Sequence, residues 1–332
     1  MKIAVVTLVG PAEDYDALTE AGHTLAFGPQ RGEAIVRMSE DELADLAGDC
    51  EGLIYNVVTA RLLERLPNLR FVITPYVGYD KMDIEAGTAA GVLLCNTRTE
   101  AQTAGMAEAT IALMMASVKR VRLRSERVRA GRWRDDGTEH AVLLHGATVG
   151  IVGFGAIGQD VARHLSGWGA RLLAHTRTAR EDVARGLGVT LVDLPTLLRE
   201  SDVVTLHVPL SPETEGMIGE RELRTMKPTA FLINTARGAV IDDEALCRAV
   251  EQGWIAGAAL DVFRQEPLPE DSPLRRLDPD RVLIMPHSTS NTLAGRSGTQ
   301  RKVVESVLEI AEGRVPALAL NPGVRMRRPT RA

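Results

Sequence analysis

The stretch Gly150-Ile151-Val152-Gly153-Phe154-Gly155-Ala156-Ile157-Gly158 runs from an apolar segment directly into glycines spaced GxGxxG. The chemistry such spacing serves is phosphate binding. Gly153 allows a tight strand-to-helix turn, Gly155 lets backbone amides approach a pyrophosphate, and Gly158 lets the helix pack closely on the strand. A helix starting there points its partly positive N-terminus at the anion. Methyltransferases use a related loop, and such turns also occur without a ligand, so the context decides. Residues 159–167 read as an amphipathic helix and residues 170–175 as a second strand, which favours a dinucleotide. An acid after that second strand would hold the adenosine ribose and repel a 2′-phosphate. Thr176-Arg177-Thr178 stands there instead, with Arg180 a helical turn on. Guanidinium and hydroxyl groups suit a phosphate, so the sequence predicts NADP in preference to NAD, with NAD possible. The alternative for Arg177 and Arg180 is plain solvated charge.

Three further reactive residues follow apolar runs. Arg237 comes after residues 230–234, Glu266 after the run ending Leu260-Asp261-Val262-Phe263, and His287 after residues 282–285. In a parallel sheet all three emerge at the carboxyl ends of strands, where ligands bind. A carboxylate bonded to imidazole favours imidazolium and so prepares a proton source near neutral pH. Arg237 alone could equally be an ordinary Arg-Gly turn. His23, His140, His145, His164 and His175 lack this context, and His207 is intermediate. Asp261 ends a small, apolar strand, where an unpaired carboxylate would be costly, so it needs a partner.

The elements that must position these residues are α/β in pattern. Before residue 100, strands are predicted at residues 2–7, 25–28, 52–57, 69–74 and 92–96, with helices at 40–47 and 59–66. Six more strands are predicted at residues 149–152, 171–175, 203–207, 230–234, 256–261 and 282–285. The fold class is therefore α/β with two doubly wound parallel-sheet domains. Residues 103–129 read as one continuous helix leading from the first domain to the second. The amphipathic helix at 299–312 finds no place in a completed second series and is expected to return to the first domain. That makes residues 1–100 and 291–332 a discontinuous, flavodoxin-like substrate domain and inserts residues 101–290 as a Rossmann cofactor domain. Paired crossings near residues 98–102 and 287–292 would form a hinge, with cofactor and substrate expected in the cleft. The Arg- and Pro-rich tail at 325–332 is expected to fray.

The 332 residues, 45% hydrophobic and 25% charged, suffice for two cores. A net charge of −5 gives no footprint for nucleic acid or an anionic membrane. The exception is the basic stretch Lys119, Arg120, Arg122, Arg124, Arg127, Arg129, Arg132 and Arg134, which reads as solvated or subunit-facing charge. Cys50, Cys95 and Cys247 make no metal or disulfide spacing, no metal site is predicted, and no signal or membrane-length run is present. These features predict a cytoplasmic protein without membrane or nucleic-acid partners.

The chain resembles the D-isomer-specific 2-hydroxyacid dehydrogenase family, in the branch of glyoxylate/hydroxypyruvate reductases and phosphoglycerate dehydrogenases. The resemblance rests on motifs in the family's order: Val77-Gly78-Tyr79-Asp80, Ala130-Gly131-Arg132-Trp133, the glycine loop, His207-Val208-Pro209-Leu210, Asn234-Thr235-Ala236-Arg237-Gly238, Leu260-Asp261-Val262-Phe263 with Glu266-Pro267, and Pro286-His287. It implies hydride transfer between NAD(P)H and a short 2-oxo or D-2-hydroxy acid. Such a reduction needs a cation for the carboxylate and carbonyl, a proton donor for the developing alkoxide, and a group keeping that donor protonated. The family's roles match Arg237, His287 and Glu266 in that order.

The resemblance further implies cofactor contacts from Gly153, Phe154, Gly155, Ala156, Ile157 and Gly158. Others would come from Thr176, Arg177 and Thr178, and from His207, Val208, Pro209 and Thr214. Near the nicotinamide it implies Thr235, Ala236, Arg237, Asp261, His287 and Ser290, with Ser288 and Thr289 alongside. Asp261 could instead be a structural cap. Substrate would be held by Arg237, His287 and the loop Tyr76-Val77-Gly78, where Gly78 permits close approach. Tyr76 departs from the small residue frequent there. Asn56 could line the same pocket or bond local backbone. Relatives pair as homodimers through the cofactor domain. Some proteins on this fold act as nucleotide-sensing corepressors or scaffolds, a reading against which the intact Arg237, Glu266 and His287 argue.

Overall fold

A computed structural model describes residues 1–7, 11–29, 38–133 and 141–328. It divides into two units. Unit 1 comprises residues 1–102 and 292–332, and unit 2 residues 103–291. Among the described residues, no helix is long and apolar enough to cross a membrane, and no cluster of His, Cys, Asp and Glu could hold a metal.

Unit 1 is built on short strands that are buried apart from Lys2 and the partly exposed edge strand Thr24–Phe27, as expected where helices cover both faces of a sheet. These are β1 (Lys2–Val5), β2 (Thr24–Phe27), β3 (Gly52–Ile54), β4 (Phe71–Ile73) and β5 (Leu93–Cys95). All pair in parallel, in the order β2-β1-β3-β4-β5, the flavodoxin-like winding. The helix Glu40–Ala47 starts in a capping box, with Ser39 and Glu42 reciprocally bonded. The helix Leu293–Ala311, capped by Thr292, begins earlier than its apolar periodicity announces because Gly295 and Gly298 interrupt the pattern. Its Val303, Val307 and Ile310 join Ile3, Val5, Phe71 and Leu93 in one core.

The last described segment is anchored, contrary to the fraying expected of residues 325–332. Arg327 donates from its guanidinium to the carbonyls of Leu66 and Leu69 and from its backbone to that of Gly91. Partial burial lowers the pKa of this guanidinium. Residues 329–332 lie outside the described residues. Asn321 secures the same segment: it accepts from the Leu94 N–H at 2.8 Å and donates to the Val92 carbonyl at 3.0 Å and the Thr88 hydroxyl at 3.0 Å.

Unit 2 carries β6 (Thr148–Val152), β7 (Arg171–His175), β8 (Val189–Leu191), β9 (Val203–Leu206), β10 (Phe231–Asn234), β11 (Gly257–Leu260) and β12 (Val282–Ile284). The all-parallel sheet runs β12-β11-β10-β9-β6-β7-β8, with seven strands rather than the six expected. The addition, β8, is a three-residue edge strand beside β7, too short for a period to register. The order reverses at β6, which pairs with both β7 and β9. A doubly wound sheet opens its ligand crevice at such a point.

The helix expected over residues 103–129 is instead two, Glu100–Val118 and Val121–Arg129. Arg120 breaks it in a left-handed conformation (φ 49°, ψ 46°), its N–H bonded to the Ser117 carbonyl. No glycine or proline marks the break, so the sequence conceals it. Arg134 and His140 lie outside the described residues.

Replacing Asn321 with Ala leaves the buried Leu94 N–H and Val92 carbonyl unpaired. Urea unfolding of Asn321→Ala should show a loss of about 2 kcal/mol; an unchanged midpoint would mean that the segment does not anchor the edge of β5.

Candidate active site

The phosphate loop follows β6. Gly153 has φ 97°, and a Cβ there would come within 2.5 Å of the His207 carbonyl oxygen, so the β6 and β9 loops meet backbone to backbone. At Gly158 a Cβ would overlap the Gly153 carbonyl oxygen, the close helix-to-strand packing required of the third glycine. Gly155 differs: a Cβ there would meet no protein atom within 4 Å. It caps the helix Ala156–Leu165, whose first turn has neither a side-chain cap nor an acid. Open backbone at an uncapped N-terminus fits a dinucleotide's pyrophosphate. Phe154 is buried in the core, with its carbonyl accepting from Gln159 Nε2 at 2.9 Å, and Ile157 packs on the same core. The exposed Ala156 lies between them.

After β7, Thr176 donates to the Thr178 carbonyl at 3.3 Å, and Arg177 and Arg180 are exposed. Glu213 has its carboxyl held below the usual range, first by hydrogen bonding from the Ser211 hydroxyl and in smaller part by the charge of Arg177. After β9, Thr214 pins the His207-Val208-Pro209 loop by donating to the Pro209 carbonyl at 2.6 Å. The His207 ring meets the Thr205 hydroxyl at 3.0 Å, and burial pushes its pKa down to about 4, so it stays neutral. The ring therefore brings no cationic charge to this loop.

Arg237 follows β10. The Asn234 side chain closes the turn, accepting from the Ala236 N–H at 3.0 Å and donating to the Arg237 carbonyl at 2.9 Å. Gly238 packs so tightly on the next loop that a Cβ would overlap the Phe263 carbonyl carbon. Arg237 is half-buried and bonds the Ala236 carbonyl at 2.7 Å. The buried Thr235 hydroxyl is 2.9 Å from that of Thr110, so its side chain is engaged within the core.

Glu266 and His287 meet. Both carboxylate oxygens lie 2.9–3.0 Å from His287 Nδ1, and Oε1 also accepts from the Phe263 N–H at 3.0 Å. With Nδ1 turned to the carboxylate, Nε2 is the ring atom left for a substrate. His287 has φ 54°, rarely adopted by non-glycine residues. The adjoining backbone is held by Asp261, whose exposure is 0%. Asp261 accepts from the Ser288 N–H at 3.1 Å, the Thr289 N–H at 3.2 Å and the Thr289 hydroxyl at 2.9 Å. These are the partners the sequence demanded without naming. Ser290 lies just beyond and is half-buried.

In unit 1, Tyr76, Val77 and Gly78 are half-buried after β4, and Asn56 is half-buried after β3. Desolvation raises the Tyr76 phenol's pKa, so it remains protonated at neutral pH. Sequence reasoning missed the clamp on this loop: Asn96 Nδ2 donates to the Val77 carbonyl at 2.9 Å, and Thr97 donates to the Thr74 and Tyr76 carbonyls. The available signal was their position just after β5, the strand beside β4.

The chain belongs to the D-isomer specific 2-hydroxyacid dehydrogenase family, whose NAD binding domain model matches residues 111–289. It is an oxidoreductase that moves a hydride between a nicotinamide cofactor and a 2-oxo or 2-hydroxy acid, and the comparisons favour this over the scaffold and methyltransferase readings. The glyoxylate reductase of Korarchaeum cryptofilum is 41% identical over 297 residues, covering 88% of this chain and 89% of that protein. Among solved structures, the TT0316 protein from Thermus thermophilus superposes with a TM-score of 0.85 at 34% identity, covering 96% of this chain and 100% of that one. The D-lactate dehydrogenase of Aquifex aeolicus, complexed with NAD and lactic acid, has a TM-score of 0.81 at 29% identity, over 94% and 96% of the two chains.

Asp261→Asn places an amide where two backbone N–H groups donate, and it should release the His287 loop. A displacement of the acid by about 1 Å can cost 10²-fold in rate, so kcat should fall by about 10- to 100-fold while far-UV circular dichroism stays unchanged. An unaltered kcat would remove Asp261 from the positioning of His287.

Proposed function

We propose that this enzyme is an NADPH-preferring reductase of short 2-oxo acids, with glyoxylate and hydroxypyruvate as its substrates, working as a cytoplasmic homodimer. The observation that carries the reading is the Glu266–His287 pair in the same unit as the glycine loop and Arg237. A bound nicotinamide supplies the hydride. Arg237 holds the substrate carboxylate and polarises the 2-oxo group. His287 delivers the Nε2 proton to the oxygen as the hydride reaches C2, so a C–H and an O–H bond replace the carbonyl π bond. Glu266 fixes the ring and offsets the imidazolium charge before transfer. Backbone amides of Tyr76, Val77 and Gly78 bind the substrate carboxylate, on a loop held by Asn96. Asp261 and Ser290 attend the nicotinamide end, and Thr235 and Ala236 contribute backbone.

NADPH is favoured because no acid follows β7 and the exposed Arg177 and Arg180 stand there. The pairing surface is the arginine-rich helix Val121–Arg129 and its continuation, where Val121, Val128 and Trp133 are exposed apolar groups among cations. Cytoplasmic residence fits three buried free cysteines, Cys50, Cys95 and Cys247, whose thiols burial pushes up to about 11 or 12.

Turnover of a 2-oxo acid panel with NADPH and NADH tests the reading directly. Glyoxylate and hydroxypyruvate with NADPH should give the highest kcat/KM, and Arg177→Ala should weaken NADPH alone by about 1–3 kcal/mol, the scale of hydrogen bonds to charged groups. Equal losses for both cofactors would overturn the preference.

Proton delivery is checked by pH. Reduction draws its proton from imidazolium and oxidation returns one to imidazole, so as pH rises reduction should slow and oxidation should quicken. His287→Ala should abolish both trends and lower kcat by about 100-fold. Parallel pH profiles in the two directions would assign proton transfer elsewhere.

A further inference from the structure

We propose that unit 2 carries a second site, for a small inorganic anion of chloride size, at the amino ends of β10 and β12. The strands are parallel, so this is the opposite end of the sheet from Arg237 and His287. A cavity of about 10 Å³ opens there, lined by Ser117, Arg120, Arg122, Phe231, Asp280 and Arg281. It has room for one water-sized species.

The lining is electropositive, with three guanidinium groups and one carboxylate. Arg122 pairs with the Asp280 carboxylate. Arg281 spends its Nε and Nη2 on the neutral carbonyls of Ala256 and Ile255, at 3.1 and 2.8 Å, so those bonds leave its charge uncompensated. Arg120 makes one long bond to the Asp280 carbonyl, at 3.4 Å, and lies over the Phe231 ring at 5.8 Å from its centroid. Among the described residues, two buried donors on the lining side chains have no acceptor: Arg120 Nε, and the hydroxyl of Ser117, a residue only 6% exposed. Buried donors of this kind are ordinarily paired. The helix Val121–Arg129 also starts here with no side-chain cap and no acid in its first turn, leaving its partly positive end unopposed.

A single anion would accept from both donors and offset the excess charge, whereas a water would meet only the hydrogen bonds. The small volume and the neighbouring Asp280 carboxylate select a monatomic, monovalent species. The backbone points the same way. Arg120 occupies the left-handed turn after a helix where glycine is usual, and that strain is retained at a residue whose side chain reaches into the cavity.

The test uses the intact chain. Crystals grown in bromide and recorded at the bromine absorption edge should show an anomalous peak within hydrogen-bonding reach of Ser117 Oγ and Arg120 Nε. A water there, with no peak, overturns the proposal. In solution, chloride should raise Tm by about 3 °C in a saturable manner over gluconate at equal ionic strength, and identical Tm values in the two salts also overturn it. Arg120→Gly keeps the left-handed turn and should abolish the chloride response. Should that variant fail to fold, Ser117→Ala decides, with a several-fold higher half-saturating chloride expected and an unchanged one counting against the site.

Discussion

The loop that carries His287 depends on one carboxylate with no exposed surface. Asp261 sits at the end of β11 and accepts from two consecutive backbone amides and a hydroxyl of the β12 loop. Those bonds offset both its desolvation and the unfavourable backbone conformation of His287. The ring is thereby set against Glu266, which is itself tied to its own turn through the Phe263 amide. Asp261 and Glu266 thus hold the His287 segment from two sides, one through the adjoining backbone and the other through the ring.

The same economy governs the glycines. At Gly153, Gly158 and Gly238 the space for a side chain is filled by neighbouring backbone, so the β6 loop meets the β9 loop, and the β10 loop meets the β11 loop, through main chain. Gly155, between Gly153 and Gly158 in the same loop, is left open. Close packing on either side of it leaves backbone accessible at Gly155.

Much of this was legible in the sequence because buried parallel strands are written as short apolar runs, and the residue after each run falls at the ligand end of the sheet. The positions of Arg237, Glu266 and His287 beyond the carboxyl ends of β10, β11 and β12 could be read that way. What escaped has physical reasons. Val189–Leu191 is too short to display a period, Arg120 adopts a turn without the glycine that would announce it, and Asn96 and Thr97 act through carbonyls that no side-chain pattern encodes. Arg327, in a segment whose composition resembles a disordered tail, is fixed by three carbonyls of unit 1. Composition alone cannot reveal such acceptors.

The core of unit 1 draws on both ends of the chain. Ile3, Val5, Phe71 and Leu93 share their core with Val303, Val307 and Ile310, and the edge beyond β5 is closed by Asn321. During synthesis the first five strands therefore leave the ribosome with one face uncovered and wait for about two hundred further residues, at 5–20 residues per second for roughly 10–40 seconds. Unit 2 is contiguous and can complete its sheet in that interval. The unit begun first is thus the last whose chain is complete.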